Sequence, residues 1–144
     1  MQPLEKINFI IIHHSQRKID SPNLIKKRHL ARGWEDVGYH YLIGNKSKLT
    51  KDGKLYKGRS EKFQGAHAFK YNKKSLGICL IGNFDKTKPS KKQIQTLIKF
   101  LKEKMKKHKI PIKNILGHRE LPEVVKSCPG KFMDMNLIRK AVSK

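Results

Sequence analysis

The sequence predicts one α/β domain in which a central mixed β-sheet is flanked by helices. Three observations support this fold class. Short apolar runs typical of buried strands alternate with segments of helical periodicity. The length of 144 residues suits one hydrophobic core, and 37% of the residues are apolar, as a folded chain requires. We therefore expect a single domain that spans residues 1–144.

Four apolar runs are interpreted as strands, at residues 7–12, 39–43, 76–81 and 114–116. Residues 54–58, with the sequence KLYKG, form a shorter candidate strand between turn residues. The stretch GNKSKLTKDGK at residues 44–54 is interpreted as an irregular polar insert. In layered α/β sheets of this kind, functional sites lie outside the carboxyl ends of the strands.

Start and stop signals define a helix between the first two predicted strands. Ser21 is a predicted N-cap, Pro22 takes the first helical position, and Gly33 follows the last turn. A last short helix is predicted from near Asp134 to the end of the chain.

The clearest helix begins after Ser90, which can form a capping box with Gln93. One face carries an apolar stripe, and the other is almost entirely lysine. The members of the stripe are Ile94, Leu97, Leu101 and Met105. A surface helix with a solvated basic face is the favoured interpretation, and a membrane-active amphipathic helix is the alternative.

The chain is strongly basic, with 34 lysines and arginines against 11 acidic residues and a formal net charge of +23. Such a charge attracts polyanions, and nucleic acid, an anionic membrane surface or an anionic cell-wall polymer would each satisfy it. No nucleic-acid-binding motif is recognised, and few aromatic residues interleave with the basic runs. We therefore expect no specific nucleic-acid partner.

The N-terminal segment contains neither a signal peptide nor a membrane span, so we expect a protein that is made in the cytoplasm and has no transmembrane segment. Cys79 and Cys128 are accordingly expected as thiols. We also expect a monomer. Cys79 lies inside an apolar run and is predicted to be a core residue, whereas His29 and His108 are expected at the surface of helices.

Histidine stands at the end of two predicted strands, in FIIIHH and in NILGHRE, and Cys128 follows His118 by ten residues. Two histidines and one cysteine suit zinc and leave the fourth tetrahedral position for water, as in catalytic sites. Strand alternation separates the paired histidines, so that His13 shares a face with Ile11 and His14 points the other way. Spacing alone leaves structural histidines as the alternative, because no compact ligand motif is present.

Six stretches together resemble the zinc-dependent N-acetylmuramoyl-L-alanine amidases of the phage T7 lysozyme and peptidoglycan recognition protein family. They occur in the family's order and cover nearly the whole chain: FIIIHHS, RGWEDVGYHYLI, DGKLYKGR, GAHAFKYNKKSLGICLIGNF, LGHRE and KSCPG. The resemblance implies a T7 lysozyme-like fold and hydrolysis of the bond between N-acetylmuramic acid and L-alanine of the stem peptide. The chain departs from the phage enzyme by extra residues, NKSKLTK, before DGKLYKGR.

The resemblance also implies roles for individual residues. It assigns the Zn²⁺ ligands to His13, His118 and Cys128, and catalytic roles to Tyr39 and Lys126. Zinc would activate water, while the lysine and the tyrosine would stabilise the tetrahedral intermediate. Substrate-groove positions fall on three further residues, for which simple packing is the alternative: His67, Asn72 and His14.

The expected partners are peptidoglycan and an anionic cell envelope, which the basic charge would favour, so that the protein acts on the cell wall as a phage or bacterial lytic enzyme. Retention of Cys128 favours hydrolysis, because family members that only bind peptidoglycan are typically marked by its loss. A protein that binds muropeptide without cleaving it remains the second hypothesis. A nucleic-acid binder is the third.

Overall fold

The computed structural model describes residues 1–144 and confirms the predicted α/β sheet. The strands are β1 (Phe9–His14), β2 (Tyr41–Ile43), β3 (Leu55–Lys57), β4 (Ser75–Leu80) and β5 (Ile115–Gly117), and the helices are α1 (Pro22–Ala31), α2 (Lys91–His108) and α3 (Met135–Val142). The first strand begins and ends two residues later than predicted. Both of the paired histidines therefore belong to β1.

The five strands form one mixed sheet in the order β3-β2-β4-β1-β5. Strands β2, β4, β1 and β5 are parallel, and β3 pairs antiparallel with β2 at the edge. The central strand β4 is buried along its whole length, as expected for a strand covered on both faces. Because β1 and β5 are parallel neighbours, their carboxyl ends meet at the same edge of the sheet.

The two predicted caps begin α1 and α2, and the third helix begins after Asp134, close to the predicted start. The Ser21 hydroxyl accepts a hydrogen bond from the backbone N–H of Leu24, and Asp134 caps α3 in the same way. Ser90 and Gln93 form the reciprocal capping box at the start of α2. These local signals are confirmed because each depends on residues only three positions apart.

Helices α2 and α3 cover one face of the sheet and enclose the larger core. In β1 the side chains of Ile10 and Ile12 face these helices and belong to the larger core. The alternating residues of the strand, such as Ile11, point to the opposite face of the sheet. In the predicted stripe of α2, Leu97 and Leu101 are fully buried, and Ile94 and Met105 are partly buried. Phe100 and the amide of Gln93 are also buried, which the stripe did not predict.

Helix α1 and the loops cover the opposite face of the sheet. Cys79 is fully buried there, as predicted, and both cysteines are free thiols. The expectation that His29 lies at the surface is wrong. Its Nδ1 accepts a hydrogen bond from the backbone N–H of Gly38, and its ring packs against Trp34, so the imidazole turns inward although its neighbours in sequence are basic.

The basic face of α2 is exposed to solvent, in agreement with the favoured interpretation. Its exposed members are Lys91, Lys92, Lys99, Lys102, Lys106 and Lys107. Lys104 differs, because it is largely buried and forms a salt bridge with Glu61. The expected exposure of His108 is also wrong, since its Nε2 lies 3.1 Å from Glu61 Oε1 and only 19% of its side chain is exposed. None of the helices combines the length and the apolar character needed to cross a bilayer.

Candidate metal centre and active-site groove

His13 lies near the carboxyl end of β1, and its imidazole is almost completely buried. Its Nε2 lies 2.9 Å from His67 Nδ1, and its Nδ1 lies 3.7 Å from Cys128 Sγ. Burial, followed by the neighbouring His67 and His118, lowers the pKa of His13 well below its usual value. The imidazole is therefore neutral near pH 7, which is the form that binds metals.

Cys128 is held by a loop that folds back onto the end of β1. The backbone N–H of Arg119 donates to the carbonyl of Cys128 at 2.7 Å, and the Arg119 guanidinium donates to the carbonyl of Gly130 at 2.6 Å. The Sγ atom accepts a hydrogen bond from the backbone N–H of His14 at 3.4 Å. Burial raises the pKa of the thiol to about 11, so that without a cation beside it the sulfur stays protonated.

His118 directly follows β5 and opens a single turn of 3-10 helix, His118–Glu120. Its ring centroid lies 4.7 Å from that of His13. Burial, with the positive charge of Lys126 as a second cause, lowers the pKa of His118. The potential ligand atoms of His13, His118 and Cys128 all lie within 4.8 Å of one another. The structure thus brings together the three predicted metal ligands.

The donor set fits zinc in both chemistry and spacing. The group consists of two imidazoles and one thiol, with no carboxylate, which suits a borderline-soft ion better than magnesium or calcium. Tetrahedral bonds of about 2.0 Å to nitrogen and about 2.3 Å to sulfur would separate the two atoms by roughly 3.5 Å. The distance between His13 Nδ1 and Cys128 Sγ is 3.7 Å.

The two predicted catalytic residues lie beside this group. The Tyr39 ring centroid is 5.1 Å from that of His13, and Tyr39 lines the same groove as Lys126. Burial first, and then the Cys79 thiol, raises the pKa of the Tyr39 hydroxyl well above its usual value. Tyr39 is therefore a neutral hydrogen-bond donor near pH 7. Lys126 is exposed, and its positive charge acts on His13 and His118.

The three predicted substrate-binding residues all line the groove, yet each has partners within the protein. Both ring nitrogens of His67 are engaged, with His13 and with Ser75. Asn72 Oδ1 accepts hydrogen bonds from the backbone N–H groups of His67 and Ala68, at 2.9 Å each. His14 Nδ1 accepts from the backbone N–H of Phe84 at 3.1 Å. Their contact with substrate stays a prediction, whereas their hydrogen bonds within the protein give each of them a structural role.

The groove around these residues has a volume of about 1440 Å³ and a positive charge. A single acidic residue, Glu123, lines it. The basic residues that line it are Arg17, Arg28, Arg32, Lys70 and Lys126. Arg28 is paired with the buried carboxylate of Asp20, and Lys70 is paired with Glu123. Arg17, Arg32 and Lys126 have no acidic partner, so the open cleft still favours an anionic ligand.

Comparison with known proteins decides the family. The family model described as N-acetylmuramoyl-L-alanine amidase matches residues 3–131. The chain belongs to this amidase family. It is 30% identical to the N-acetylmuramoyl-L-alanine amidase LysC from Clostridium intestinale URNW, with a TM-score of 0.85 over 96% of this chain and 86% of that one.

The amidase-family chain also resembles animal proteins. It is 35% identical over 133 residues to peptidoglycan-recognition protein LB of Drosophila melanogaster, covering 85% of this chain and 54% of the fly protein. It is 33% identical over 111 residues to the N-acetylmuramoyl-L-alanine amidase of Mus musculus, covering 76% of this chain and 19% of the mouse protein. The chain thus spans only about half of the fly protein and a fifth of the mouse amidase.

Two kinds of residue at the site of this family member carry no clear signal in the sequence. Ser75 is fully buried beneath His67, but a single serine at the start of a strand carries no signal of its own. Phe69 and Val125 are exposed apolar residues on the loops that border the groove. Only their position in loops, where binding residues concentrate, could have indicated them.

Proposed function

We propose that this protein is a zinc-dependent peptidoglycan hydrolase that cleaves the amide bond between N-acetylmuramic acid and L-alanine of the stem peptide. The convergence of His13, His118 and Cys128 within 4.8 Å, in a groove that also holds Tyr39 and Lys126, is the observation that carries the proposal. Membership of the amidase family supports the same reaction.

His13, His118 and Cys128 would hold the metal, since they offer two neutral nitrogens and one sulfur. When bound, zinc supplies Lewis acidity that polarises an amide carbonyl and acidifies water. The protein contributes by exclusion as well as by ligation. His13 is buried and Cys128 is largely buried, so only the open side of the groove admits solvent and substrate to the group.

Tyr39 and Lys126 would act on the charge that develops during attack on the amide. The Tyr39 hydroxyl keeps its proton near pH 7 and can therefore donate a hydrogen bond to an oxyanion. Lys126 is exposed and lines the groove, so its ammonium can approach the same oxygen from solvent. Loss of one such donor typically costs about 2.7 to 4 kcal/mol of barrier stabilisation.

The charge of the groove supports an anionic substrate such as a peptide stem with free carboxylates. Five basic residues and one acidic residue line the groove, and the whole chain carries +23. Two structures of related peptidoglycan recognition proteins, Drosophila LB and the LCa–LCx complex, contain tracheal cytotoxin. We propose that this protein binds the same class of ligand, peptidoglycan fragments. A lytic enzyme of the cell wall is the corresponding role, and an anionic envelope would concentrate the protein there.

The test follows free L-alanine amino termini released from insoluble peptidoglycan by the zinc-loaded protein. We expect release that stops on chelation and returns with added zinc, and loss of both activity and bound zinc in Cys128→Ala. Cys79→Ala removes the other thiol and is expected to keep one zinc ion per chain. Activity that survives in Cys128→Ala, or persists without zinc, would refute the mechanism.

Recognition without cleavage is the second candidate, because several relatives are named as peptidoglycan-recognition proteins. The same preparation separates the two functions. Binding of muropeptide by the zinc-loaded protein, with no released amino termini, would favour recognition alone.

A further inference from the structure

A chain of hydrogen bonds runs from the candidate ligand His13 into the core. His13 Nε2 lies 2.9 Å from His67 Nδ1, and His67 Nε2 lies 3.3 Å from Ser75 Oγ. Ser75 Oγ in turn lies 2.7 Å from the carbonyl oxygen of Tyr71. Ser75 is fully buried, so water does not compete for its hydroxyl.

The direction of each bond follows from the chemistry of its end. The Tyr71 carbonyl can only accept, so the Ser75 hydroxyl donates to it and keeps acceptor capacity for His67. A neutral His67 must then carry its proton on Nε2 and accept through Nδ1. His13 consequently donates from Nε2, and its Nδ1 lone pair is left free on the side of Cys128.

The ring of His67 occupies a fitted space rather than a loose loop. A Cβ atom at either Gly65 or Gly77 would stand 2.6 Å from this ring, closer than real contacts allow. The backbone N–H groups of His67 and Ala68 both donate to Asn72 Oδ1, which fixes the segment that carries the ring. The two glycines and the Asn72 side chain therefore hold the imidazole between His13 and Ser75.

We propose that His67 and Ser75 are positioning residues that hold His13 in the tautomer with a free Nδ1, the nitrogen that would bind zinc. The inference rests on the proposed function, because a metal ion is what the free lone pair would serve. Groups that orient a metal-bound histidine typically change metal affinity by about 10- to 100-fold when they are removed. His67 would then act through His13 rather than on the substrate.

The first test reads the tautomer in zinc-free protein by long-range ¹H–¹⁵N correlation of the imidazole nitrogens. We expect wild-type His13 to be protonated on Nε2 alone, and Ser75→Ala and His67→Leu to populate the Nδ1-protonated form. A wild-type proton on Nδ1, or no change in both variants, would overturn the proposal. Because no zinc is present, this result is independent of whether the protein is a hydrolase.

The second test measures zinc affinity by competition with a chromophoric chelator. We expect Ser75→Ala to weaken binding about 10-fold and His67→Leu about 10- to 100-fold. The double variant should be no weaker than His67→Leu, since the hydroxyl acts only through the ring. Additive losses would overturn the proposal. If the wild-type protein did not bind zinc, the proposed function would be refuted. The tautomer test would still decide whether His67 and Ser75 position His13.

A conservative variant and a control separate positioning from simple damage. His67→Asn places an amide oxygen where Nδ1 stands, so it should accept from His13 and keep zinc affinity within a few-fold of wild type. Asn that performs no better than Leu would contradict the inference. Thr96→Ala, which removes a hydroxyl that donates to the Gly53 carbonyl on the far side of the sheet, should leave zinc affinity unchanged.

Discussion

Replacement of Glu61 by glutamine tests the largest ion-pair network of the fold. The Glu61 carboxylate contacts three groups: the ammonium of Lys104, the hydroxyl of Tyr41 and the Nε2 atom of His108. The side chains of Lys104 and Glu61 are only 15% and 19% exposed. Glu61→Gln keeps the shape but leaves the Lys104 ammonium largely buried without its counter-charge.

The expected loss of stability lies between the limits for surface and buried pairs. Burial raises the pKa of Glu61, but the hydrogen bonds from Lys104 and Tyr41 and the charge of Lys104 together outweigh burial and lower this pKa from 4.5 to about 2. Converted in full, that difference would equal about 3.4 kcal/mol. Solvent screening at a partly exposed site reduces it, because exposed pairs contribute only about 0–1 kcal/mol. We therefore expect Glu61→Gln to lower the free energy of unfolding by about 2 kcal/mol.

The measurement is urea unfolding of both proteins from pH 7 down to pH 2. The folded-state pKa lies below the unfolded value, so the contribution of Glu61 is fully present above about pH 4.5 and is lost as the pH falls toward 2. The difference between wild type and variant should therefore shrink over that interval. Glu123→Gln is the matched control, because its pair with Lys70 is exposed. A Glu61 difference that is independent of pH would refute the reasoning.

Three further predictions concern the site and the core. Tyr39→Phe should lower kcat for amide hydrolysis by about 10² to 10³ without loss of bound zinc, and unchanged kcat would exclude the hydroxyl from catalysis. Gly77→Ala should destabilise the fold by about 1–3 kcal/mol and weaken zinc binding, because its Cβ would meet the His67 ring at 2.6 Å. Wild-type stability together with wild-type zinc affinity would contradict the tight packing of the His67 ring. Gln93→Leu should cost about 1–3 kcal/mol in urea unfolding, since the buried Ile81 carbonyl loses its donor at 2.8 Å, and full stability would show that this carbonyl finds another partner.

The amino-acid sequence by itself determined the elements and their edges. Ser21, Ser90 and Asp134 begin helices as predicted, because a cap and the N–H group it satisfies lie within one turn of each other. The strands carry apolar runs that can be recognised without tertiary information, so each was located to within two residues. Composition also indicated a strongly basic protein.

Tertiary structure decided which of these elements meet. His13 and Cys128 are 115 residues apart, and they become neighbours only because β1 lies between β4 and β5 and the last loop folds back over that edge. Spacing could not predict that proximity, and the prediction depended on a family resemblance. His29 shows the same limit, since its basic neighbours favoured a surface position, whereas its Nδ1 accepts a hydrogen bond from the backbone N–H of Gly38 in the segment after α1 and the ring is buried.

The hydrogen-bond and ion-pair partners of buried polar side chains could be predicted least from the sequence. Whether His67 contacts substrate or orients His13 depends on a serine in β4 and on two glycines that leave room for the ring. Glu61 likewise finds Lys104 and His108 on a helix more than forty residues away. Hydrogen bonds and ion pairs of this kind act over about 3 Å, so only the packed fold determines which side chains come within that range.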